Sequence, residues 1–221
     1  MRLVLLHSPL VGPSTWQGVA ARLAVRGHHV ALPDLSAVMR GSGPFYAALA
    51  ELAAAAITDT SVLVVHSGAG ALVPAIAVMA PVAGAVFVDA LLPHPGESWF
   101  SGVPEPLGQR LRGLAKAGRL PPWHAWWPKG AIEAMLPDGA VAAAFLREQA
   151  ELPLVYFEER APDIALATPS AYLQLSGAYE ADADAAEAAD WPVARLNLHH
   201  LAMLTDPGLV AVQIEGLATK L

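Results

Sequence analysis

Three residue types that together make a nucleophilic catalyst stand at the ends of apolar runs in this sequence. Ser67 follows Val62-Leu63-Val64-Val65 and sits in His66-Ser67-Gly68-Ala69-Gly70. A strand-to-helix turn holds such a serine exposed above a sheet, and it closes only when the residues two places away are small. Gly68, Ala69 and Gly70 meet that demand downstream, whereas Val65 does not upstream, so the strict G-x-S-x-G pattern fails at both glycines. A tight turn with an N-capping serine fits the same residues. A serine hydroxyl is a poor nucleophile until an adjacent base takes its proton. His199-His200, after the last apolar run, supply a histidine where it would reach a serine at the top of a sheet, although an ordinary loop pair also fits. Asp89 ends the run Ala85-Val86-Phe87-Val88. A carboxylate there would orient an imidazole and stabilise its cation, or would simply cap the turn.

Those positions need a frame. Leu3–Leu6 reads as a strand buried on both faces, with no alternation. His29–Leu32, Ser61–Val65, Ala85–Val88, Ala171–Leu175 and Val193–Leu196 follow as further short strands. Helical periodicity runs through Trp16, Val19, Ala20 and Leu23, with Ser14 as the expected N-cap and Gly27 as the stop. Residues 45–57, 68–79, 181–189 and 207–220 read as further helices, with Pro74 expected to bend the second of these. Strands alternating with helices predict βαβ units and a parallel sheet covered on both faces. From Pro93 to about Pro169 the alternation lapses: no apolar strand is expected, and prolines, glycines and aromatic residues dominate.

Composition narrows the function. In 221 residues, 55% are hydrophobic and 15% charged, which excludes intrinsic disorder. Every apolar run is broken well before the roughly 18 residues of a spanning helix, and the opening Met1-Arg2-Leu3 reads as the start of a strand rather than a secretory signal. The expected location is cytoplasmic. Without cysteine there are no disulfides or thiolate sites. Thirteen basic against twenty acidic residues, a net charge of −7, argue against nucleic acid. No histidine set has zinc-site spacing and no glycine-rich phosphate loop follows a strand, so neither a metal nor a nucleotide cofactor is expected. The expected partner is a small molecule, apolar or aromatic. Trp99, Phe100, Trp123, Trp126 and Trp127 would wall its pocket or pack the insertion onto the core, while Trp16 is expected to pack.

Residues 3–16 (LVLLHSPLVGPSTW), 63–70 (LVVHSGAG), 86–97 (VFVDALLPHPGE) and 199–207 (HHLAMLTDP) resemble, in order and spacing, the α/β-hydrolase fold family. Within it the sequence is most similar to the small-ester methylesterase and hydroxynitrile-lyase branch. The resemblance covers residues 1–95 and 169–221. It implies an α/β architecture: a mostly parallel central sheet with helices on both faces. Residues 1–92 and 169–221 would form the core, and 93–168 a helical cap inserted after the fourth strand. Carried over, Ser67 is the nucleophile, the Gly68 N–H is one oxyanion donor and His200 is the base, because the family's histidine directly precedes an apolar residue as in His200-Leu201-Ala202-Met203-Leu204. Pairing into a homodimer is compatible with the resemblance.

The sequence departs from that pattern in three places. The second oxyanion N–H would come from about position 9, and Pro9 has none. Losing one donor costs about 100- to 1,000-fold in rate, so the Leu10 N–H or the Ser8 hydroxyl must substitute, or the chemistry is not ordinary acyl transfer. The usual acid would fall near Ala178 or Tyr179, with Glu180 and Asp182 adjacent but out of register. Some relatives carry the acid after the preceding strand, so Asp89 is expected over Glu180. Thirdly, Val65 crowds the turn. The resulting expectation is a serine hydrolase of a small ester, thioester or lactone, using Ser67, His200 and Asp89. A lyase or cyclase doing acid–base chemistry on a bound carbonyl, and a non-catalytic ligand-binding protein, stay open beside it.

Overall fold

The computed structural model describes all 221 residues. Runs of branched aliphatic residues too short for helices become strands. In chain order these are β1 (Arg2–Leu6), β2 (His29–Ala31), β3 (Ser61–Ser67) and β4 (Val82–Ala90), then the two-residue strands β5 (Arg119–Leu120) and β6 (Leu152–Pro153), then β7 (Ser170–Gln174) and β8 (Val193–Arg195). Six of them form one sheet in the order β2-β1-β3-β4-β7-β8, and every neighbouring pair is parallel. All seven residues of β3 are buried, as a sheet covered on both faces requires. The strand order reverses between β1 and β3. Such a switch point sends the following loops to opposite faces and opens a crevice at the carboxyl ends of the strands. The loop after β1 carries Ser8 and Pro9, and the loop after β3 begins at Ser67.

The helices are α1 (Ser14–Val25), α2 (Phe45–Ala55), α3 (Val73–Ala77), α4 (Glu105–Leu114), α5 (Ala140–Glu148), α6 (Leu154–Glu158), α7 (Glu180–Ala188), α8 (Ala202–Thr205) and α9 (Pro207–Ala218). Helix α1 packs against α8 and α9, while α2 packs against α3. No helix is long and apolar enough to cross a membrane.

Several local expectations are corrected. Ser14 does not cap α1. It is the first helical residue, its hydroxyl has no partner, and its N–H donates to the Glu148 carboxylate at 2.9 Å. The anion that belongs at this helix start therefore arrives from α5 rather than from the neighbouring sequence. Residues 68–72 form a 3-10 turn, and Pro74 lies in the first turn of α3, where its missing N–H breaks no helical bond. The stretch between β4 and β7 holds an antiparallel ribbon, β5 with β6, where no strand is expected. The remainder of that stretch is α4, α5, α6 and three short 3-10 turns. Its aromatic residues gather around Phe157, whose ring centroid lies 4.9 Å from Tyr156, 5.2 Å from Trp99 and 5.5 Å from Trp126.

Candidate active site

Ser67 ends β3 with φ 55° and ψ −126°. A left-handed φ is uncommon for a residue with a side chain, and such strain persists only where the surroundings enforce it. Enforcement is visible on both sides. Val65 is held in register with Leu6 of β1 and Phe87 of β4, so the turn closes with valine in the usual glycine place. A Cβ at Gly70 would overlap the main-chain carbonyl oxygen of Leu91, whereas one at Gly68 would make only ordinary contacts. The small residue the turn demands is therefore Gly70.

Asp89 owes its position to a slip in the sheet. His66 pairs with Val88 but Ser67 pairs with Ala90, leaving Asp89 as the extra residue of a bulge, with φ 44°. Bulges re-aim side chains, and this one turns a fully buried carboxylate toward the loops. Asp89 Oδ1 accepts the N–H groups of Leu175 (2.8 Å) and Ser176 (2.9 Å). Its Oδ2 accepts the Ser176 hydroxyl (2.6 Å) and the Nδ1–H of His200 (2.8 Å). Burial pushes the carboxyl up, but the hydrogen bonds and charge of His200 and the Ser176 donors outweigh it, and the group is held below its usual range. An acceptor-only carboxylate fixes the hydrogen on Nδ1 and leaves the Nε2 lone pair of His200 free to take a proton.

His66, next to Ser67, completes the mounting. Its Nε2–H donates to the main-chain oxygen of His200 at 3.2 Å, and the two imidazole centroids lie 4.5 Å apart. Burial, reinforced by the nearby His200, holds His66 neutral, well below the ordinary histidine range.

Ser67 and His200 face one cavity of about 550 Å³. Trp99, Trp123, Trp126 and Trp127 line it, together with Leu107 and Leu111. Phe100 does not reach it and packs under Arg112. Trp126 is anchored by its Nε1–H on the Pro121 carbonyl at 2.8 Å. The expected packing role of Trp16 fits its complete burial against the edge of His66. Tyr179 also lines the cavity; its hydroxyl lies 3.1 Å from Ser67 Oγ and its ring stacks on His200.

The structure thus brings Ser67, Gly68, Leu10, Trp126 and His200 to one cavity and sets Asp89 behind His200. Ser8 lines a small adjoining space with Ser67 and His200. Two alternatives are corrected. Glu180 is exposed at the start of α7 and makes no bond to His200, because α7 points its first residue outward. The Leu10 N–H is not a free oxyanion donor, since it is spent on Ser8 Oγ at 3.3 Å. Sequence reasoning missed Tyr156, Tyr179 and Ser176 as site residues. Tyr179 was legible only as the occupant of the place where an acid was sought, and Tyr156 lies in the irregular stretch that carried no positional signal.

A parallel sheet with this switch point, a strained serine after its third strand and an Asp–His pair at the ends of later strands define the α/β-hydrolase fold. No protein-family model matches the sequence, and no curated protein does. Solved structures do match along the whole chain. One is an extracellular α/β-hydrolase from a Paenibacillus species, described as sharing structural and functional homology with tobacco salicylic acid binding protein 2 (18% identity, TM-score 0.79, covering 98% of each chain). Another is a pyrethroid hydrolase from Sphingobium faniae JZ-2 (20% identity, TM-score 0.73, covering 99% of this chain and 97% of that one). A third is tomato methylketone synthase I with 2-tridecanone (16% identity, TM-score 0.72, covering 99% and 98%). At these identities the likeness is one of fold.

Proposed function

We propose that this protein is a serine hydrolase of small, largely apolar carboxylic esters, thioesters or lactones. The observation that carries the reading is the Asp89–His200 hydrogen bond of 2.8 Å, set behind the cavity that His200 and the strained Ser67 both line. Residues 93–168 act as a cap whose tryptophans select an apolar acyl or alcohol group. The fold-mates support the choice, since one is named a pyrethroid hydrolase and another is likened to a salicylic acid binding protein.

The chemistry runs as acyl transfer. Ser67 turns about χ1 from Tyr179 to His200, and its Oγ bonds to the substrate carbonyl carbon as its proton passes to Nε2. The carbonyl π pair moves onto oxygen, with the Gly68 N–H as one donor. Collapse expels the alcohol or thiol, which takes the proton from His200. Water then repeats the sequence against the acyl-enzyme and releases the acid.

A second reading is favoured by the ring nitrogen at Pro9 and by the Ser67–Tyr179 bond: acid–base chemistry on a bound carbonyl without a covalent intermediate. Intact-mass analysis after treatment with a fluorophosphonate separates the two. The hydrolase reading expects one adduct on the wild type that disappears in Ser67→Ala and His200→Ala. A folded wild type that stays unlabelled and forms no acyl-enzyme with an activated ester overturns it.

A further inference from the structure

The oxyanion side of the site lacks a donor that its geometry calls for. Pro9 carries a ring carbon where an N–H would point, and its Cδ lies 3.8 Å from the place a Cβ would occupy on Gly68. Two hydroxyls converge on that same place: Ser8 Oγ at 3.5 Å and the Tyr156 oxygen at 3.8 Å. A methyl at Gly68 would touch both hydroxyls at ordinary contact distance and occupy the space between them. Ser8 Oγ accepts the Leu10 N–H, so its own proton remains available. Tyr156 is 2% exposed, lines the cavity beside Ser67 and Gly68, and its hydroxyl makes no hydrogen bond within the protein. The hydroxyl is open to the cavity beside Ser67 and Gly68, where it can donate to a ligand oxygen.

Tyr156 is also rigidly held. Its ring stacks on Tyr46 at 5.7 Å and 26°, and meets Phe45 and Phe157 edge-on at 5.9 and 4.9 Å. Tyr46 and Phe45 are themselves fixed, because the Glu159 carboxylate accepts their N–H groups at 2.9 and 2.8 Å from the end of the helix that bears Tyr156. Burial pushes the Tyr156 hydroxyl well above the usual range, so it stays protonated and can only gain from an oxygen that is becoming negative.

We infer that Tyr156 is a catalytic residue: its hydroxyl, with that of Ser8, donates to the substrate carbonyl oxygen and replaces the N–H missing at Pro9. This rests on the hydrolase reading and assigns its oxyanion hole. Neither hydroxyl gives up its proton; the donors hold the oxygen while the carbon is tetrahedral, in acylation and again in deacylation, and relax each time the carbonyl re-forms.

The test is Tyr156→Phe, which keeps the ring packing. Turnover of p-nitrophenyl butyrate is measured alongside the inhibition constant for an alkyl trifluoromethyl ketone, which adds to Ser67 as a hemiketal oxyanion. The expected result is a kcat about 10- to 1,000-fold lower with little change in KM, and inhibitor affinity falling by a comparable factor. A loss caused by misplaced packing would instead raise KM and lower Tm. Gly68→Ala probes the same space from the other side, where a methyl makes ordinary contacts and so folds, and it is expected to depress kcat and inhibitor affinity together. If both variants keep the wild-type kcat and inhibitor affinity, the assignment of Tyr156 falls while the hydrolase reading stands. If the wild type neither turns over the ester nor labels at Ser67 with a fluorophosphonate, both fall together.

Discussion

The hydroxyl of Ser67 is bonded to the hydroxyl of Tyr179, 3.1 Å away, rather than to an imidazole nitrogen. The same tyrosine lies parallel to His200, with ring centroids 4.9 Å apart and planes 7° from each other. Tyr179 therefore competes with His200 for the Ser67 hydroxyl while stacking flat on the imidazole. Tyr179→Phe keeps the stacking surface and removes the competitor. A hydrogen bond of this kind contributes about 0.5–1.5 kcal/mol net, so the rate of fluorophosphonate labelling at Ser67 should rise roughly 2- to 10-fold. A slower reaction would show that the hydroxyl assists the serine instead.

Asp89→Asn changes one oxygen to an amide with the backbone untouched. An amide nitrogen facing His200 would force the other tautomer, putting hydrogen on Nε2 where a lone pair is needed. The expected loss in kcat/KM on an activated ester is about 10³- to 10⁴-fold. A variant retaining more than a tenth of the wild-type activity would remove Asp89 from the mechanism.

Acid stability has a defined sign. His66 is buried and neutral in the fold but protonates near its ordinary 6.5 once unfolded. The titratable groups nearest it are His200, Asp89 and His7. A depressed pKa contributes stability that is complete above the unfolded value and is lost as pH falls toward the folded one. Between pH 6.5 and the folded value, one such group costs up to about 1.4 kcal/mol per pH unit. Burial also lowers His94 and His199, and the depressed Asp89 adds its own loss only below about pH 4. Urea midpoints of His66→Gln measured from pH 7 to 5 should therefore fall less steeply than those of the wild type. Parallel slopes would contradict the assignment.

Gly70→Ala tests the closing of the serine turn. The added methyl meets the Leu91 main-chain oxygen, which no rotamer can move. Overpacking of this sort costs roughly 1–3 kcal/mol, a Tm lower by about 3–10 °C in a chain of this length, with labelling of Ser67 lost in the fraction that remains folded. An unchanged Tm would show that the turn relaxes easily.

The sheet was legible because each strand is an uninterrupted apolar run between turn residues. Ser67, Asp89 and His200 stood out because each terminates or follows such a run. The insertion was legible only as an interruption of the alternation. What the sequence could not display was long-range substitution. Glu148 reaches the start of α1 from 134 residues away, so Ser14 looked like the cap. Ser8 Oγ takes the Leu10 N–H through a loop conformation that composition does not encode. The bulge that aims Asp89 exists only in the pairing of β3 with β4, and the local residues read simply as a strand end. Tyr156 and Tyr179 come from segments whose periodicity is too short or too irregular to assign a face.

The bond from His66 Nε2–H to the His200 carbonyl ties His200 to the residue that immediately precedes Ser67. Ser67 and the loop carrying His200 are thereby joined through one side chain of β3. Trp123 reaches the same imidazole from the cavity side, at 6.0 Å between ring centroids, so the loop is anchored from the sheet and touched from above. A molecule that pushes on Trp123 therefore bears on an imidazole whose main chain is tethered to β3.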